Sequence, residues 1–352
     1  MPEKIAALRV ERGPDVNGGH MVIRIFAKGR VAADASLEEL GFNEEVCEIF
    51  REIRMSKYGG IVIAGSTGEG KSTTNTVNLL TQMREHDYRL NMATVEDPVE
   101  NPIPGAIQIQ VAPTGVGEDR SAQFQKGLMH FVRIHPQVGC VGEIRDVEGA
   151  KQVLQFIDSG HQIWTTLHAH NANGILFRLL DLGVPAAQLT KPGNIRLLLK
   201  QTLISVLCPA CCLDAPEEGR RLPAWLASRL SAEVRYRNPK GCGTCLALRA
   251  TELGRLAWAG YSNRLAFAEW IVPEEAYLGF VAAKDVIGAW NHWRGRMGGV
   301  TVGTKVWRAV SDGMVDPFDA LAKAARPDEA EEVFGRPGPG LSLVGDDGRA
   351  VP

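Results

Sequence analysis

Ile61-Val62-Ile63-Ala64 runs directly into Gly65-Ser66-Thr67-Gly68-Glu69-Gly70-Lys71-Ser72, and the pattern is helical from Ser72 to Arg84. A continuous apolar run of this kind reads as a buried parallel strand. The glycine-rich octapeptide fits G-x-x-x-x-G-K-[ST] and stands between a strand and a helix, where its mechanism requires it. Backbone N–H groups in such a turn point at phosphate oxygens, glycines allow the close approach, and the helix N-terminus adds positive potential. Gly65, Ser66, Thr67, Gly68, Glu69, Gly70, Lys71, Ser72 and Thr73 are therefore candidates for binding a nucleotide. Lys71 is expected to reach the β- and γ-phosphates and Ser72 to ligate Mg²⁺. Glu69 is an unusual neighbour for phosphate, free either to face solvent or to temper affinity.

Further strands are expected at 92–95, 138–141 and 163–166, with helices at 72–84, 121–133 and 147–157. Alternation of this kind argues for an α/β fold with a mainly parallel sheet. An earlier helix over 43–55 is capped by Asn43, carries Glu44 and Glu45 at its positive end, and buries Val46, Ile49, Phe50 and Ile53. The expected organisation is an N-terminal segment (1–56, with a strand at 21–26), an α/β core (57–200), a cysteine-bearing subdomain (201–270), a helical region (271–325) and a disordered tail (326–352) containing GRPGPG and GDDGRAVP.

Ligands of open α/β sheets bind beyond the carboxyl ends of the strands. Thr94-Val95-Glu96-Asp97-Pro98-Val99-Glu100 places three carboxylates just past one strand. Val141-Gly142-Glu143-Ile144-Arg145-Asp146 places two more past another, and His161 and His168 bracket a third. Each stretch alone has a plain reading as a solvated turn or a structural histidine. Repeated after successive strands, they point to one site, with Glu143 and Glu96 first because each closely follows an apolar strand.

The chain has 352 residues, 23% of them charged, with a formal net charge of -2. No global basic field points to nucleic acid or anionic lipid as the partner. No apolar run is long enough to span a bilayer, and the start, MPEKIAALRVERGPD, lacks the apolar core of a signal peptide. A cytoplasmic chain is expected. There, seven cysteines with four in two C-x-x-C pairs read as metal before disulfide. Cys208 with Cys211 and Cys242 with Cys245 can each chelate one side of a tetrahedral Zn²⁺, a structural site because four thiolates leave no open position. Cys212 could replace Cys211, and the other reading is redox-active or merely buried thiols. Cys47 and Cys140 read as core.

Four blocks together resemble the secretion ATPase superfamily of type II secretion and type IV pilus systems. They are the phosphate loop, TVEDPVE at 94–100 (similar to the family's Asp box), GEIRD at 142–146 (its atypical Walker B) and SGHQIWTTLHAHNA at 159–172 (its His box). LEELGF at 37–42, Gly260-Tyr261 and Arg264 extend the match, which covers roughly residues 20 to 270 and more loosely continues to about 325. The resemblance implies a RecA-like P-loop ATPase, with Glu143 as general base or water-orienting acid. Glu96, Asp97 and Glu100 would hold Mg²⁺, directly or through water, and His161 and His168 would sense the γ-phosphate and couple it to the subunit boundary. Arg145 and Asp146 would stabilise the loop beside the nucleotide. It also implies ATP hydrolysis coupled to mechanical work in a ring, expected to be a hexamer, docked on an inner-membrane platform protein at the cytoplasmic face. The four-cysteine site leans towards pilus assembly or secretion, since retraction-type relatives usually lack it.

The sequence departs from the family in three places. His135-Pro136-Gln137 stands where relatives carry Asp-Pro-Asp, and Gln201-Thr202-Leu203 where they carry Gln-Arg-Leu. The N-terminal domain is expected to be a short segment here, which would leave Arg9, Arg12 and Arg24 as candidates to reach a neighbour's nucleotide. Two alternatives follow: a conjugation or DNA-processing ATPase on the same core, and a non-catalytic nucleotide-binding scaffold.

Overall fold

A computed structural model of the chain describes residues 5–324 except 15, 17, 28–30, 33, 112–119, 228–229, 231–232 and 248–256. The expected tail from 326 onward lies outside the described residues. The chain opens with an antiparallel hairpin of β1 (Ile5–Gly13) and β2 (His20–Ala27). Arg9, Arg12 and Arg24 lie on these strands; their side chains fall outside the description.

Strand and helix then alternate: α1 (Glu44–Met55), β3 (Gly59–Ala64), α2 (Lys71–Glu85), β4 (Met92–Glu96), β5 (Ile107–Gln110), α3 (Arg120–Ile134), β6 (Val138–Val141), α4 (Val147–Asp158), β7 (Gln162–Leu167) and α5 (Gly174–Asp181). A short α6 (Ala186–Leu189) precedes the long β8 (Ile195–Leu207). Then come α7 (Ala224–Ala227), α8 (Gly243–Ala247) and β9 (Tyr261–Ile271). The last four helices are α9 (Glu275–Ala282), α10 (Val286–Gly295), α11 (Val302–Ser311) and α12 (Pro317–Lys323).

Seven strands form one sheet in the order β5-β4-β6-β7-β3-β8-β9, parallel from β5 through β8, with β9 antiparallel on its edge. The interior strands β3 and β7 are buried along their whole length, as apolar runs covered on both faces must be. Period-two alternation divides β3 between two cores. Val62 and Ala64 pack with α3, α4, α5, α9 and α10, while Ile61 and Ile63 pack with α1 and α2. Trp164 faces the second layer and stacks on Phe50 of α1 at 5.9 Å. Asn43 caps α1 by accepting from the Val46 N–H, and Arg54 forks onto both oxygens of Glu85, locking α1 to α2. A third, smaller core joins the end of β8 to α11 and α12.

The 201–270 stretch holds more regular structure than its sequence suggested. β8 continues to Leu207 and β9 returns beside it, so both flanks of the cysteine region belong to the main sheet. Their apolar positions are mixed with Lys200, Gln201, Thr202 and Glu269, which hides the strand signal.

Candidate active site and cysteine cluster

Because β3, β4, β6 and β7 run parallel, their carboxyl ends share one edge of the sheet. Ala64 pairs with Leu167 and Val95 with Val141, which brings Gly65, Glu96, Gly142 and His168 to that edge. The turn after β3 places Gly68 (φ 86°) and Gly70 (φ 81°) in the left-handed region, where a side chain would be strained. Gly65 lies against β8, where a Cβ would come 2.7 Å from the Gln201 carbonyl oxygen. Lys71 opens α2 and folds its ammonium over the turn, donating to the Gly65 and Ser66 carbonyls at 2.7 and 2.9 Å. Ser66, Thr67, Gly68 and Ser72 are exposed, and Thr73 is half-buried.

Glu69 takes neither course read from the sequence. Its carboxylate accepts from the Leu203 N–H on β8, and its carbonyl accepts from the Gln201 amide at 2.6 Å. Gln201 also accepts from the Thr74 hydroxyl at 2.9 Å. Two residues of β8 thus hold the loop from beneath, and Glu69 is an anchor rather than a phosphate neighbour. From the sequence, Gln201 stands out only as the first residue of the triplet at 201–203; a buried glutamine inside a strand (1% exposed) is the signal that could have found its part in holding the loop.

The acids follow on the adjacent strand ends. Glu96 is fixed by the Thr94 hydroxyl at 2.6 Å and the Gln108 amide at 3.0 Å, both on Oε1. Burial holds its carboxyl above the ordinary range, against the lowering effect of those two donors, and nearby Glu100 adds to the rise. Glu143 is gripped on both oxygens, by His168 Nε2 at 2.8 Å and Arg145 Nε at 2.7 Å. Arg145 continues to Asp97 at 3.6 Å. His168, Glu143, Arg145 and Asp97 therefore form one chain of polar contacts across the ends of β7, β6 and β4. Asp146 caps α4, accepting from the Gly149 N–H at 2.7 Å, and takes a second bond from Ser121. Glu100 lies half-buried beyond β4.

A cleft of about 160 Å³ opens beside this chain, lined by Glu143, Arg145, Leu167, His168 and Arg178 among others. Arg178, on the exposed side of α5, was not singled out from the sequence, where it reads as an ordinary helix-surface cation.

The expectation for His161 needs correcting. It precedes Gln162, which pairs with Gly59 at the start of β3, so it sits at the amino edge of the sheet. At about 3.3 Å per residue, roughly the full length of β7 separates it from the phosphate loop. Its Nδ1 lies 3.0 Å from the Ser159 hydroxyl and 3.1 Å from the Phe156 carbonyl, a local turn contact.

Cys208, Cys211, Cys242 and Cys245 form a second site, with all four sulfurs within 4.8 Å of one another. Sulfur separations of 3.9 Å for Cys208–Cys242, 4.0 Å for Cys211–Cys245 and 3.9 Å for Cys242–Cys245 match the edge of a tetrahedron with bonds of about 2.3 Å. The Cys242 and Gly260 N–H groups point at the Cys245 sulfur at 3.1 and 3.4 Å, as donors do towards a thiolate ligand. The Cys242 thiol is itself lowered to about 6, chiefly by the Cys245 backbone. Four soft donors on two tight turns fit Zn²⁺. Cys212 turns away towards the Pro209 carbonyl, outside the group. Cys47 and Cys140 are buried in the core.

A family model described as type II/IV secretion system protein matches residues 1–290. The chain belongs to that family. It is 33% identical over 238 residues to a type II secretion system protein E of Pseudomonas aeruginosa, covering 68% of this chain and 45% of that one. It is 34% identical over 287 residues to the type IV pilus assembly ATPase PilB of Thermus thermophilus, covering 79% of this chain and 29% of that one. The chain thus spans about half or less of the length of these relatives. In fold it is similar to the pilus retraction motor PilT solved with ADP, at a TM-score of 0.56 and 19% identity, over 92% of this chain and 80% of that one. It is also similar to the Legionella pneumophila ATPase DotB, at a TM-score of 0.56 and 18% identity, over 90% of this chain and 72% of that one. Membership explains why the four blocks occur in this order. Among the described residues no helix is long and apolar enough to cross a membrane.

Proposed function

We propose that this chain is the ATP-hydrolysing core of a motor that powers type IV pilus assembly or type II secretion. The observation that carries this reading is the meeting, at one sheet edge, of the Gly65–Thr73 loop, Glu96 and the His168–Glu143–Arg145–Asp97 chain. The names of its relatives support the same reading.

In this reading the loop N–H groups and Lys71 cradle the phosphates, with the ammonium exchanging loop carbonyls for phosphate oxygens. Ser72, Glu96, Asp97 and Glu100 would hold the Mg²⁺ that accompanies the nucleotide, directly or through water, and the ion would neutralise charge at the terminal phosphates. Glu143 orients the attacking water and accepts its proton. The partners of Glu143 set its direction: Arg145 fixes one oxygen, and His168 gives up the other when a γ-phosphate arrives. His168 therefore reports the nucleotide state, and Arg145 ties that state to Asp97, just past the end of β4. The four cysteines hold one Zn²⁺, whose role is to fix the two turns between β8 and β9.

The motor works as a ring, a hexamer in this proposal. It docks through partner proteins on the cytoplasmic face of an inner-membrane platform, and relative motion of neighbouring subunits delivers the work. Activity should then rise with protomer concentration. Steady-state ATP turnover of the wild type, Glu143→Gln and Lys71→Ala tests the proposal. Turnover in the wild type that falls at least about a hundredfold in both variants supports it. Equal, negligible turnover in all three favours a nucleotide-binding scaffold, and salt-dependent binding of single-stranded DNA favours a DNA-processing motor.

A further inference from the structure

Glu269 lies on the edge strand β9, 3% exposed, and takes no part in the chemistry above. A carboxylate this deep needs partners, or it costs the fold several kcal/mol. Its two oxygens go to two different parts of the molecule. Oε1 accepts from the Ala172 N–H at 2.7 Å, and Oε2 from the Val302 N–H at 2.9 Å. Ala172 is the last residue but one of the loop that begins at His168. Val302 is the first residue of α11, in the C-terminal helices.

The surroundings strengthen the joint. Burial raises the Glu269 carboxyl, while Lys200 and Lys305 act in the opposite direction. Lys200 is its register partner on β8 and immediately precedes Gln201, which holds the phosphate loop. Lys305 of α11 donates to the Ala268 carbonyl at 2.7 Å and lies over the Trp270 ring. Next to Ala172, the buried Asn173 accepts from the Tyr277 hydroxyl of α9 at 2.9 Å and donates to the Val286 carbonyl of α10 at 3.3 Å. The loop that starts at His168 is thus bonded at its far end to α9, α10 and α11, with a single carboxylate making the link to α11.

We propose that Glu269 is a positioning residue: it clamps the His168–Asn173 loop to the start of α11 and transmits nucleotide-dependent movement of that loop to the C-terminal helices. This inference rests on the proposed ATPase reading. A carboxylate suits the task, because two acceptor oxygens on one rigid group take both N–H groups at once, so neither amide can move without the other. An apolar residue of the same size would fill the space and leave both N–H groups unpaired.

Amide hydrogen exchange on the full chain, with and without MgADP, tests this in the wild type and Glu269→Gln. The glutamine keeps the volume and one acceptor but turns an NH₂ group towards one of the two donors. Without nucleotide, exchange at Ala172 or Val302 should rise about tenfold in the variant, with the sheet unchanged. With MgADP, the wild type should slow exchange at 65–72, at 166–173 and at 301–306; the variant should keep the first two responses and lose the third. Its kcat for ATP should fall about tenfold with KM within about twofold. Glu269→Asp, which retains both acceptors, should recover part of both effects, and it serves as the test variant if the glutamine form does not purify folded. The proposal is overturned if the variant retains the 301–306 response, if the wild type protects 65–72 but never 301–306, or if protection falls across the whole sheet as for an ordinary core residue. Absence of protection at 65–72 in the wild type refutes the nucleotide reading itself, and the coupling with it.

Discussion

Replacing Gln201 by leucine keeps nearly the same volume in β8 but removes both bonds that hold the phosphate loop from below. The Glu69 carbonyl loses its 2.6 Å donor and the Thr74 hydroxyl its 2.9 Å acceptor. Thr74 retains the Gly70 carbonyl at 3.3 Å, so its loss falls at the low end of the range. A stranded buried polar group costs about 1–3 kcal/mol, which puts the sum near 3 kcal/mol. In a chain of this size that is a fall of roughly 4 °C in the melting midpoint. Glu69 and Thr74 flank Lys71, so the loop loses its preset shape and must be ordered by the ligand. If about 1.4 kcal/mol of the loss falls on that ordering, the Kd for MgADP rises about tenfold. Thermal melting and titration of a fluorescent ADP analogue measure the two effects. A midpoint within about 1 °C of wild type together with an unchanged Kd would refute the claim that β8 shapes the loop.

Three further outcomes follow from other parts of the molecule. The Glu96 carboxyl is raised by burial, so its contribution to stability is complete below the unfolded value near 4.5 and is lost as pH rises through the folded value. Glu96→Gln keeps an acceptor for Thr94 and Gln108; urea unfolding without nucleotide should show this variant gaining on the wild type as pH rises from 5 to 8, and parallel curves would contradict the assignment. Removing metal with a strong chelator, or replacing Cys208 by serine, should abolish binding of about one Zn²⁺ per chain and lower the melting midpoint by several degrees, as read by metal analysis and calorimetry. Gly139→Ala would drive a methyl to 2.3 Å from the Phe131 ring and 2.8 Å from Ile163, and should cost at least about 1–3 kcal/mol in denaturant unfolding with no change in the residues of the candidate site.

The α/β core was legible because its physics is local. Runs such as Ile61–Ala64 and the helical periods between them each announce one element, and glycines at the P-loop mark a turn that few other sequences need. The carboxyl-edge placement of Glu96 and Glu143 followed from their position after parallel strands. The same reasoning misled for His161, since a residue just before a strand lies at the opposite edge from one just after it. β8 and β9 were both missed; Lys200, Gln201 and Glu269 interrupt their apolar pattern. Gln201 and Glu269 are buried for long-range partners at Glu69, Thr74, Ala172 and Val302, which no window of neighbouring sequence contains. The direction of Glu69 was hidden for the same reason, its acceptor role being fixed by Leu203 on a distant strand.

Calorimetric titration of MgATP into the Glu143→Gln protein tests the central claim most directly, because that variant should bind without turnover. The account predicts a saturable heat at about one nucleotide per chain, abolished when Lys71 is also replaced by alanine. No heat in the Glu143→Gln protein, or equal heat with Lys71 replaced, would contradict it.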